Sequence, residues 1–324
     1  MFEEIKKQFW IRESSKTALG IANEKYLGEK KEYFPFGIKY LDDSTLGIKP
    51  TDLVVLSART GVGKTEMALN IALHNARLGK RVLYYALEGG QNEIENRLVY
   101  KEFARSYYAT YDKQVCDSVK LRYNRFLRGD YKSIFSNHYN EVKRVCEENL
   151  KNLHIVQRKP HTKFDIGIFE LHLNGIHDMY DLIIVDHLNY FDRQYINQSE
   201  IEMVQSVMKT IRDMVDHFSK PVVLISHVRK GSLQYKTPLP LLDDIYGTSE
   251  VVKISDKVII LGGSTIDMYD PTRMKTYIKV AKDRDAGYLT KQIAQCVFNV
   301  AKNCYEEEYK IGKFEKDQFV VGSK

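Results

Sequence analysis

The residues best suited to chemistry lie in the run A-R-T-G-V-G-K-T, which extends from Ala58 to Thr65. Gly61 and Gly63 allow a tight turn whose backbone N–H groups point at phosphate oxygens. A helix beginning there would add partial positive charge. Lys64 is then expected to reach the β- and γ-phosphates, and the Thr65 hydroxyl to ligate Mg²⁺. The residues predicted to bind the nucleotide are Ala58, Arg59, Thr60, Gly61, Val62, Gly63, Lys64 and Thr65.

Two carboxylates are expected beside this loop. Asp186 follows the apolar run Leu182–Val185, which predicts a buried strand ending in an acid. Ligands of α/β sheets bind beside the C-terminal ends of strands, so Asp186 is predicted to hold Mg²⁺ through water. Glu88 ends the run V-L-Y-Y-A-L-E. It is either the general base that polarises the attacking water or an acid at the N-terminus of the next helix.

Two basic candidates complete the set. His227 follows the apolar run V-V-L-I-S and is either a donor to the γ-phosphate or an ordinary polar loop residue. The triplet K-D-R, with Lys282 and Arg284, follows the predicted strand Tyr277–Val280. It is either exposed surface or an arginine finger that acts on the nucleotide of an adjacent subunit.

The elements that position these residues alternate along the chain. Short apolar runs of strand length precede helical patterns such as Ile201–Phe218, where apolar residues recur every three or four positions. Such alternation predicts an α/β fold with a mostly parallel central sheet flanked by helices. Residues 91–150 are predicted to be largely helical and are rich in Tyr, Lys and Arg.

Composition excludes several other classes of protein. The 324 residues carry a net charge of +6, and no apolar run approaches the roughly 20 residues needed to span a membrane. The start, M-F-E-E-I-K-K-Q, is not a signal peptide. Four cysteines without a C-x-x-C pair indicate neither a zinc site nor a disulfide framework, and favour a reducing, intracellular compartment.

Residues 1–33 and 34–324 are predicted to be separate parts. Phe2, Ile5 and Phe9 have the spacing of a short amphipathic helix, and Glu24–Tyr33 has the polar composition of a flexible joint. This helix either packs on its own domain or docks on a neighbouring subunit. Residues 34–324 would form the nucleotide-binding domain.

In their order, these motifs resemble the DnaB-like replicative helicase family, a branch of RecA-fold hexameric helicases that includes phage and Twinkle-like enzymes. The resemblance begins at F-G-I-K-Y-L-D-D-S-T-L-G-I-K-P-T-D-L and continues through the phosphate loop. It then includes Glu88 as the catalytic glutamate, Asp186, the sensor position at His227, and the segment Asp244–Ser249. It closes with the K-x-R finger and covers about residues 34–310.

The resemblance implies a RecA-like P-loop ATPase core with a short N-terminal linker helix, and a hexamer that hydrolyses Mg-ATP between subunits. It further implies movement on single-stranded DNA during replication, in the cytoplasm of a bacterial or phage-infected cell, with a primase or loader as partner. Channel residues in the matching segment would be Arg229, Lys230 and Lys236, whose alternative is an exposed charged loop. Tyr246 stands where the family usually has Arg, and it could stack on a base instead.

Two other functions remain open at this point. A recombinase-like or accessory ATPase would share the fold and the nucleotide site, but would bind DNA as a filament without unwinding it. A signalling module would use the nucleotide only to switch a protein contact. Lys64, Thr65, Glu88 and Asp186 together argue against an inactive site.

Overall fold

The computed structural model describes residues 14–27, 33–90, 92–159, 161–228, 239–245, 248–267, 270–285, 292–315 and 318–322. By its internal contacts the chain divides into two compact units, Met1–Tyr33 and Phe34–Lys324. In the first unit, helix α1 covers Ser14–Leu27. It therefore continues four residues into the stretch that was expected to be a joint. Glu, Lys and Leu are good helix formers, and neither Gly nor Pro occurs from Glu24 to Leu27. The helix predicted around Phe2, Ile5 and Phe9 lies outside the described residues.

A central sheet organises the second unit. Its parallel part contains β1 (Leu53–Ala58), β2 (Val82–Ala86), β3 (Leu153–Gln157), β4 (Leu182–Asp186), β5 (Val222–His227) and β6 (Lys257–Ile266). These strands are ordered β6-β1-β5-β4-β2-β3. β1, β2 and β4 are buried along their whole length, as continuous apolar runs with helices on both faces require.

An antiparallel extension continues the sheet beyond β6. Its strands are β7 (Arg273–Asp283), β8 (Ile293–Asn299), β9 (Cys304–Glu315) and β10 (Gln318–Val321). Together the described strands form one ten-stranded sheet, in the order β10-β9-β8-β7-β6 on this side. The predicted α/β class is confirmed. In this extension the sequence pattern predicts only the centre of β7. β8 alternates between partly buried and buried residues, β9 and β10 contain only partly buried and exposed residues, and none of the three has a continuous apolar run.

Helices pack on both faces of the sheet. The described helices of this unit are α2 (Lys39–Ser44), α3 (Lys64–Arg77), α4 (Glu93–Thr110), α5 (Lys113–Ser118), α6 (Tyr123–Leu127), α7 (Lys132–Leu150), α8 (Ile166–Ile176), α9 (Glu200–Phe218) and α10 (Thr248–Ile254). Short 3₁₀ turns cover His177–Met179, Leu188–Tyr190 and Leu242–Asp244. One buried apolar cluster includes the inner face of α3, and a second includes α8 and α9.

Local sequence signals explain where the two principal helices begin and end. Ser199 caps α9 by accepting from the Glu202 N–H, and Glu202 in turn accepts from the Ser199 N–H, which is a capping box. Helix α3 starts after Gly63, whose φ of +101° lies in the left-handed region that favours glycine. Gly79, just past its end, has a φ of +82°, as expected for a helix stop.

Helices α4 to α7 form a small subdomain with an aromatic core. They agree with the prediction that residues 91–150 are largely helical. Tyr100, Phe103 and Tyr107 of α4 are buried in its core. Helix α4 is joined to the first turn of α3 by ion pairs from Glu66 to Arg97 and to Lys101, the latter at 2.8 Å. Among the helices within the described ranges, none combines the length and the apolar character needed to cross a membrane.

Candidate active site

The sheet brings the predicted residues to one edge. β1 ends at Ala58, β4 at Asp186 and β5 at His227. In the strand pairing, Ala58 lies opposite His227, and Ala86 at the end of β2 lies opposite Asp186. Because parallel strands end at the same edge, four loops distant in sequence converge there.

A cavity of about 660 Å³ lies at this edge. The phosphate loop, Glu88 and His227 contribute to its wall, so the structure brings these predicted residues together. The lining residues are Thr60, Gly61, Val62, Gly63, Lys64, Thr65, Glu66, Glu88, Gly89, Glu93, Ile94, Arg97, Tyr190, His227, Met274, Thr276, Phe298 and Tyr305. The volume is of the size that small-molecule sites have in proteins.

The loop after β1 wraps around the Lys64 ammonium group. Gly61 adopts a φ of +80°, which allows the tight turn. Lys64 Nζ donates to the carbonyl oxygens of Ala58 and Arg59, both at 3.1 Å, and the side chain is buried. Burial lowers the pKa of Lys64 to about 8, although the nearby carboxylates oppose this shift. A buried cation held this way is suited to pair with phosphate oxygens.

Asp186 is the buried last residue of β4 and is not among the residues that line the cavity. The Tyr84 hydroxyl donates to Asp186 Oδ2 at 2.8 Å, and the Thr65 hydroxyl also bonds to this carboxylate. Asp186 Oδ1 is buried and has no hydrogen-bond partner among the described residues. Burial raises the pKa of Asp186, and the charge of Glu88 adds to this rise. Thr65 and Asp186, the pair predicted to hold Mg²⁺, are therefore adjacent.

Glu88 extends into the cavity from the loop after β2. Its N–H donates to the Asp186 carbonyl at 3.2 Å, and its side chain is 41 % exposed. Helix α4 begins only at Glu93, and Glu93 and Glu95 are the acids of its first turn. The alternative interpretation of Glu88 as a helix N-terminal acid is therefore wrong.

Two histidines meet beside Glu88. His227 Nε2 lies 2.8 Å from His187 Nε2, and His187 Nε2 lies 2.9 Å from Glu88 Oε2. Burial lowers the pKa of His187 to about 4. Sequence reasoning does not select His187, although it directly follows Asp186 at the strand end. His227 is not an ordinary loop residue, because it ends β5 and faces the site.

Some lining residues carry no recognisable sequence signal. Arg97 comes from α4, while Phe298 and Tyr305 come from β8 and β9. The rings of Phe298 and Tyr305 lie with their centroids 5.2 Å apart. They give one side of the cavity an aromatic surface that could contact a nucleobase.

Lys282 and Arg284 do not join this cluster within one chain. The Arg284 N–H donates to the carbonyl of Asp256. Asp256 lies beside the N-terminal end of β1. At ~3.3 Å per residue, this is about 16 Å along the sheet from Ala58. Arg284 Nη2 donates to the Lys253 carbonyl at 2.9 Å, and Lys282 Nζ donates to carbonyls at the end of α10. The Arg284 side chain is half-exposed.

The predicted DNA-contacting residues Arg229, Lys230, Lys236 and Tyr246 lie outside the described residues. Of the neighbouring segment, Asp244 and Ile245 are described and buried.

Comparison with known proteins agrees with this architecture. The chain is 22 % identical over 266 residues to the replicative DNA helicase DnaB of Leifsonia xyli, with 80 % of this chain and 53 % of that protein covered. One solved ATPase domain has a TM-score of 0.73 at 16 % identity, and the match covers 91 % of this chain and 99 % of that one. A DnaB-like replicative helicase, described with its interactions with primase, has a TM-score of 0.68 at 16 % identity, with 92 % and 67 % covered.

The chain spans about half the length of the curated relatives it matches. Residues 34–303 match the model of the DnaB-like helicase C terminal domain, which is most of the second unit. Because this match covers most of the chain, the chain belongs to the DnaB-like helicase C terminal domain family.

Proposed function

We propose that this chain hydrolyses ATP with Mg²⁺ and uses the energy to move along single-stranded DNA as a ring of six subunits. The observation that carries this proposal is the convergence of Lys64, Glu88 and His227 on one cavity, with Asp186 adjacent to Thr65, in a member of this family. Nucleotide use follows from the family. Replicative unwinding is the activity that the names of the relatives suggest.

The residues present fit a bound Mg²⁺ ion. Asp186 Oδ1 is a buried acceptor without a partner among the described residues, and the Thr65 hydroxyl lies beside the same carboxylate. Oxygen ligands of this kind are what Mg²⁺ prefers. Thr65 and Asp186 would hold the ion, which would neutralise charge on the phosphates.

The other residues have separate tasks in the proposed reaction. Lys64 pairs with the phosphate oxygens from beneath the loop. Glu88 orients a water molecule and takes its proton as the water oxygen bonds to the γ-phosphorus, while the bond from that phosphorus to the bridging oxygen breaks and ADP leaves. His227 donates a hydrogen bond to the γ-phosphate. When that phosphate is lost, the His227 side chain is free to move.

Arg284 acts on the nucleotide of the adjacent subunit, and Lys282 supports it. Their distance from the phosphate loop of the same chain supports this assignment, since a finger acting in trans belongs on another face of the domain. In the proposed ring, residues 1–33 are a linker that docks on the neighbouring subunit.

Arg229, Lys230, Lys236 and Tyr246 contact the DNA strand in this proposal, the first three through its phosphates and the tyrosine by stacking on a base. A primase or loader is the proposed protein partner, since one structural neighbour is described with primase. The site of action is the cytoplasm of a bacterial or phage-infected cell.

ATP hydrolysis with and without single-stranded DNA tests the proposal, run beside size-exclusion light scattering in Mg-ATP. The expected result is stimulated turnover by a species of about six subunits. Lys64→Ala should be inactive, and Lys209→Ala, an exposed lysine on α9, serves as the matched control. A monomer whose rate of ATP hydrolysis is the same with and without DNA would contradict the proposal that the chain moves along DNA.

Strand displacement on a forked duplex separates this proposal from the accessory-ATPase alternative. A helicase should displace the strand in an ATP-dependent manner. DNA-stimulated hydrolysis without displacement, together with filaments in electron micrographs, would select the alternative.

A further inference from the structure

The ring of His187 lies between two residues of the proposed reaction. Its Nε2 atom is 2.9 Å from Glu88 Oε2 and 2.8 Å from His227 Nε2. Glu88 Oε2 and His227 Nε2 are themselves 3.9 Å apart. His187 is 1 % exposed, so this contact is made in a buried place at the edge of the cavity.

The backbone determines which nitrogen of His187 carries the proton. The Asn189 N–H donates to His187 Nδ1 at 3.2 Å. A backbone N–H can only donate, so Nδ1 holds a lone pair and the ring is neutral. The single ring proton therefore lies on Nε2, where it faces Glu88 and His227 together.

This hydrogen-bond pattern also argues against a metal site. Two histidines and a carboxylate form a ligand set typical of transition metals. A histidine that binds a metal through Nε2 has its proton on Nδ1 and donates from there to an acceptor. At His187 the Asn189 N–H occupies that position, so these three side chains are better explained as a hydrogen-bonded group.

The Glu88 carboxylate needs such a partner. It is 41 % exposed, and its other oxygen has a long contact of 3.4 Å with the Tyr190 hydroxyl. The Tyr190 ring packs edge-on against His187, with centroids 4.7 Å apart. Among the described residues, His187 is thus the closer of two side-chain donors to Glu88. Its ring also packs against Tyr190, which is the other donor.

We propose that His187 is a positioning residue whose one Nε2 proton is shared between Glu88 and His227. While His227 accepts this proton, its Nε2 cannot donate to a phosphate. When the His227 ring turns and donates to the γ-phosphate from Nδ1, which carries its proton while Nε2 accepts, the His187 proton is left to Glu88 alone and orients the carboxylate for the attacking water. His187 thereby links γ-phosphate occupancy to the position of the general base. This inference rests on the proposed hydrolysis.

A matched pair of substitutions tests the link. In His187→Gln the amide nitrogen reaches about as far as Nε2 and keeps a donor there. In His187→Asn the shorter amide keeps an acceptor near Nδ1 but has no donor at Nε2. We expect His187→Asn to lower kcat by about 10- to 100-fold, with nucleotide affinity within threefold of wild type, and His187→Gln to recover most of the loss. His217→Asn, at an exposed histidine on α9, is the control.

Equal kcat values for His187→Asn and His187→Gln would overturn the inference, whether both are near wild type or both are reduced. If the wild-type chain does not hydrolyse ATP at all, the proposed function fails instead. The two failures are therefore distinguishable.

A spectroscopic measurement does not depend on turnover or on a folded variant. Solid-state NMR of the sedimented full chain, with all nine histidines labelled with ¹⁵N, reports the tautomer of each ring. The buried histidine between Glu88 and His227 should show a protonated Nε2 and a bare Nδ1. Its Nε2 resonance should shift when a non-hydrolysable ATP analogue and Mg²⁺ are added. A proton on Nδ1, or an Nε2 resonance unmoved by the analogue, would contradict the assignment.

Discussion

The Tyr84 hydroxyl donates to Asp186 Oδ2 at 2.8 Å across the paired strands β2 and β4. Both residues are buried. The bond satisfies one carboxylate oxygen of Asp186, while Oδ1 has no partner among the described residues. A strand residue with no place in any nucleotide motif thus determines which oxygen is available at the proposed Mg²⁺ position.

Tyr84→Phe should therefore destabilise the chain. The substitution removes the tyrosine donor from the buried Asp186 Oδ2, which costs about 1–3 kcal/mol. The measurement is urea unfolding followed by circular dichroism, without nucleotide. Tyr139→Phe removes a hydroxyl from a half-exposed tyrosine and should change the free energy of unfolding very little. Equal stability of Tyr84→Phe and wild type would show that the bond contributes nothing.

Lys64→Ala should weaken ATP binding about tenfold or more, because the phosphates lose a charged donor held beneath the loop. Titration with a fluorescent ATP analogue measures the affinity, and turnover should fall with it. Lys209→Ala is the control for removing a lysine. Unchanged affinity in Lys64→Ala would mean that the nucleotide binds elsewhere.

Glu88→Gln should separate binding from hydrolysis. The amide keeps the size of the side chain but cannot take a proton from water, so kcat should fall about 10²- to 10⁴-fold while affinity stays near wild type. Single-turnover kinetics measure the chemical step directly. Glu147→Gln, at an exposed glutamate on α7, is the matched control. Hydrolysis that survives in Glu88→Gln would remove Glu88 from the role of base.

Arg284→Ala should retain ATP binding and lose hydrolysis, by about 10³-fold or more for a finger acting in trans. A mixture with Lys64→Ala provides a stricter test. Each variant alone is inactive, but a mixed ring contains interfaces with an intact phosphate loop on one subunit and an intact finger on the next.

At equal amounts, about one interface in four is complete if subunits mix at random around a cyclic ring. Activity should therefore reappear on mixing. Arg128→Ala, an exposed arginine outside this region, should behave like wild type. Persistent inactivity of mixed rings, with exchange of subunits shown by light scattering, would refute the trans assignment.

The Glu66 ion pairs predict a pH dependence of stability. Burial alone would raise the pKa of Glu66, but Lys101 and Arg97 outweigh it and hold the pKa below its ordinary value of 4.5. The ionised group therefore stabilises the folded chain above about pH 4.5, and this contribution is lost as the pH falls through the lower folded pKa.

Glu66→Gln should cost about 3 kcal/mol at neutral pH, because the buried Lys101 loses its carboxylate partner. The partly buried Arg97 retains Glu93 alone among its ion pairs within the described residues. The difference from wild type should shrink as the pH falls below 4.5. Urea unfolding of both proteins across this range measures it. A difference independent of pH would mean that the ion pairs contribute little and that the amide is merely a poor fit.

Features that depend on neighbouring residues could be predicted without a structure. Continuous apolar runs predict the buried strands β1, β4 and β5, and three- or four-residue spacing predicts α3 and α9. The phosphate loop is equally local, since its glycines, Lys64 and Thr65 act within eight consecutive residues. Asp186 and Glu88 could be predicted because a strand end is visible in sequence, and parallel strand ends share one edge.

Contacts between distant segments required the folded chain. The partners of His187 come from the ends of β2 and β5, and no sequence pattern records which neighbour a side chain at a strand end will face. The same holds for Tyr84 with Asp186 and for Arg97 with Glu66, whose pairing depends on strand order and helix packing. Sequence periodicity reports which face of an element is buried, but the partner across that face is chosen by the whole fold.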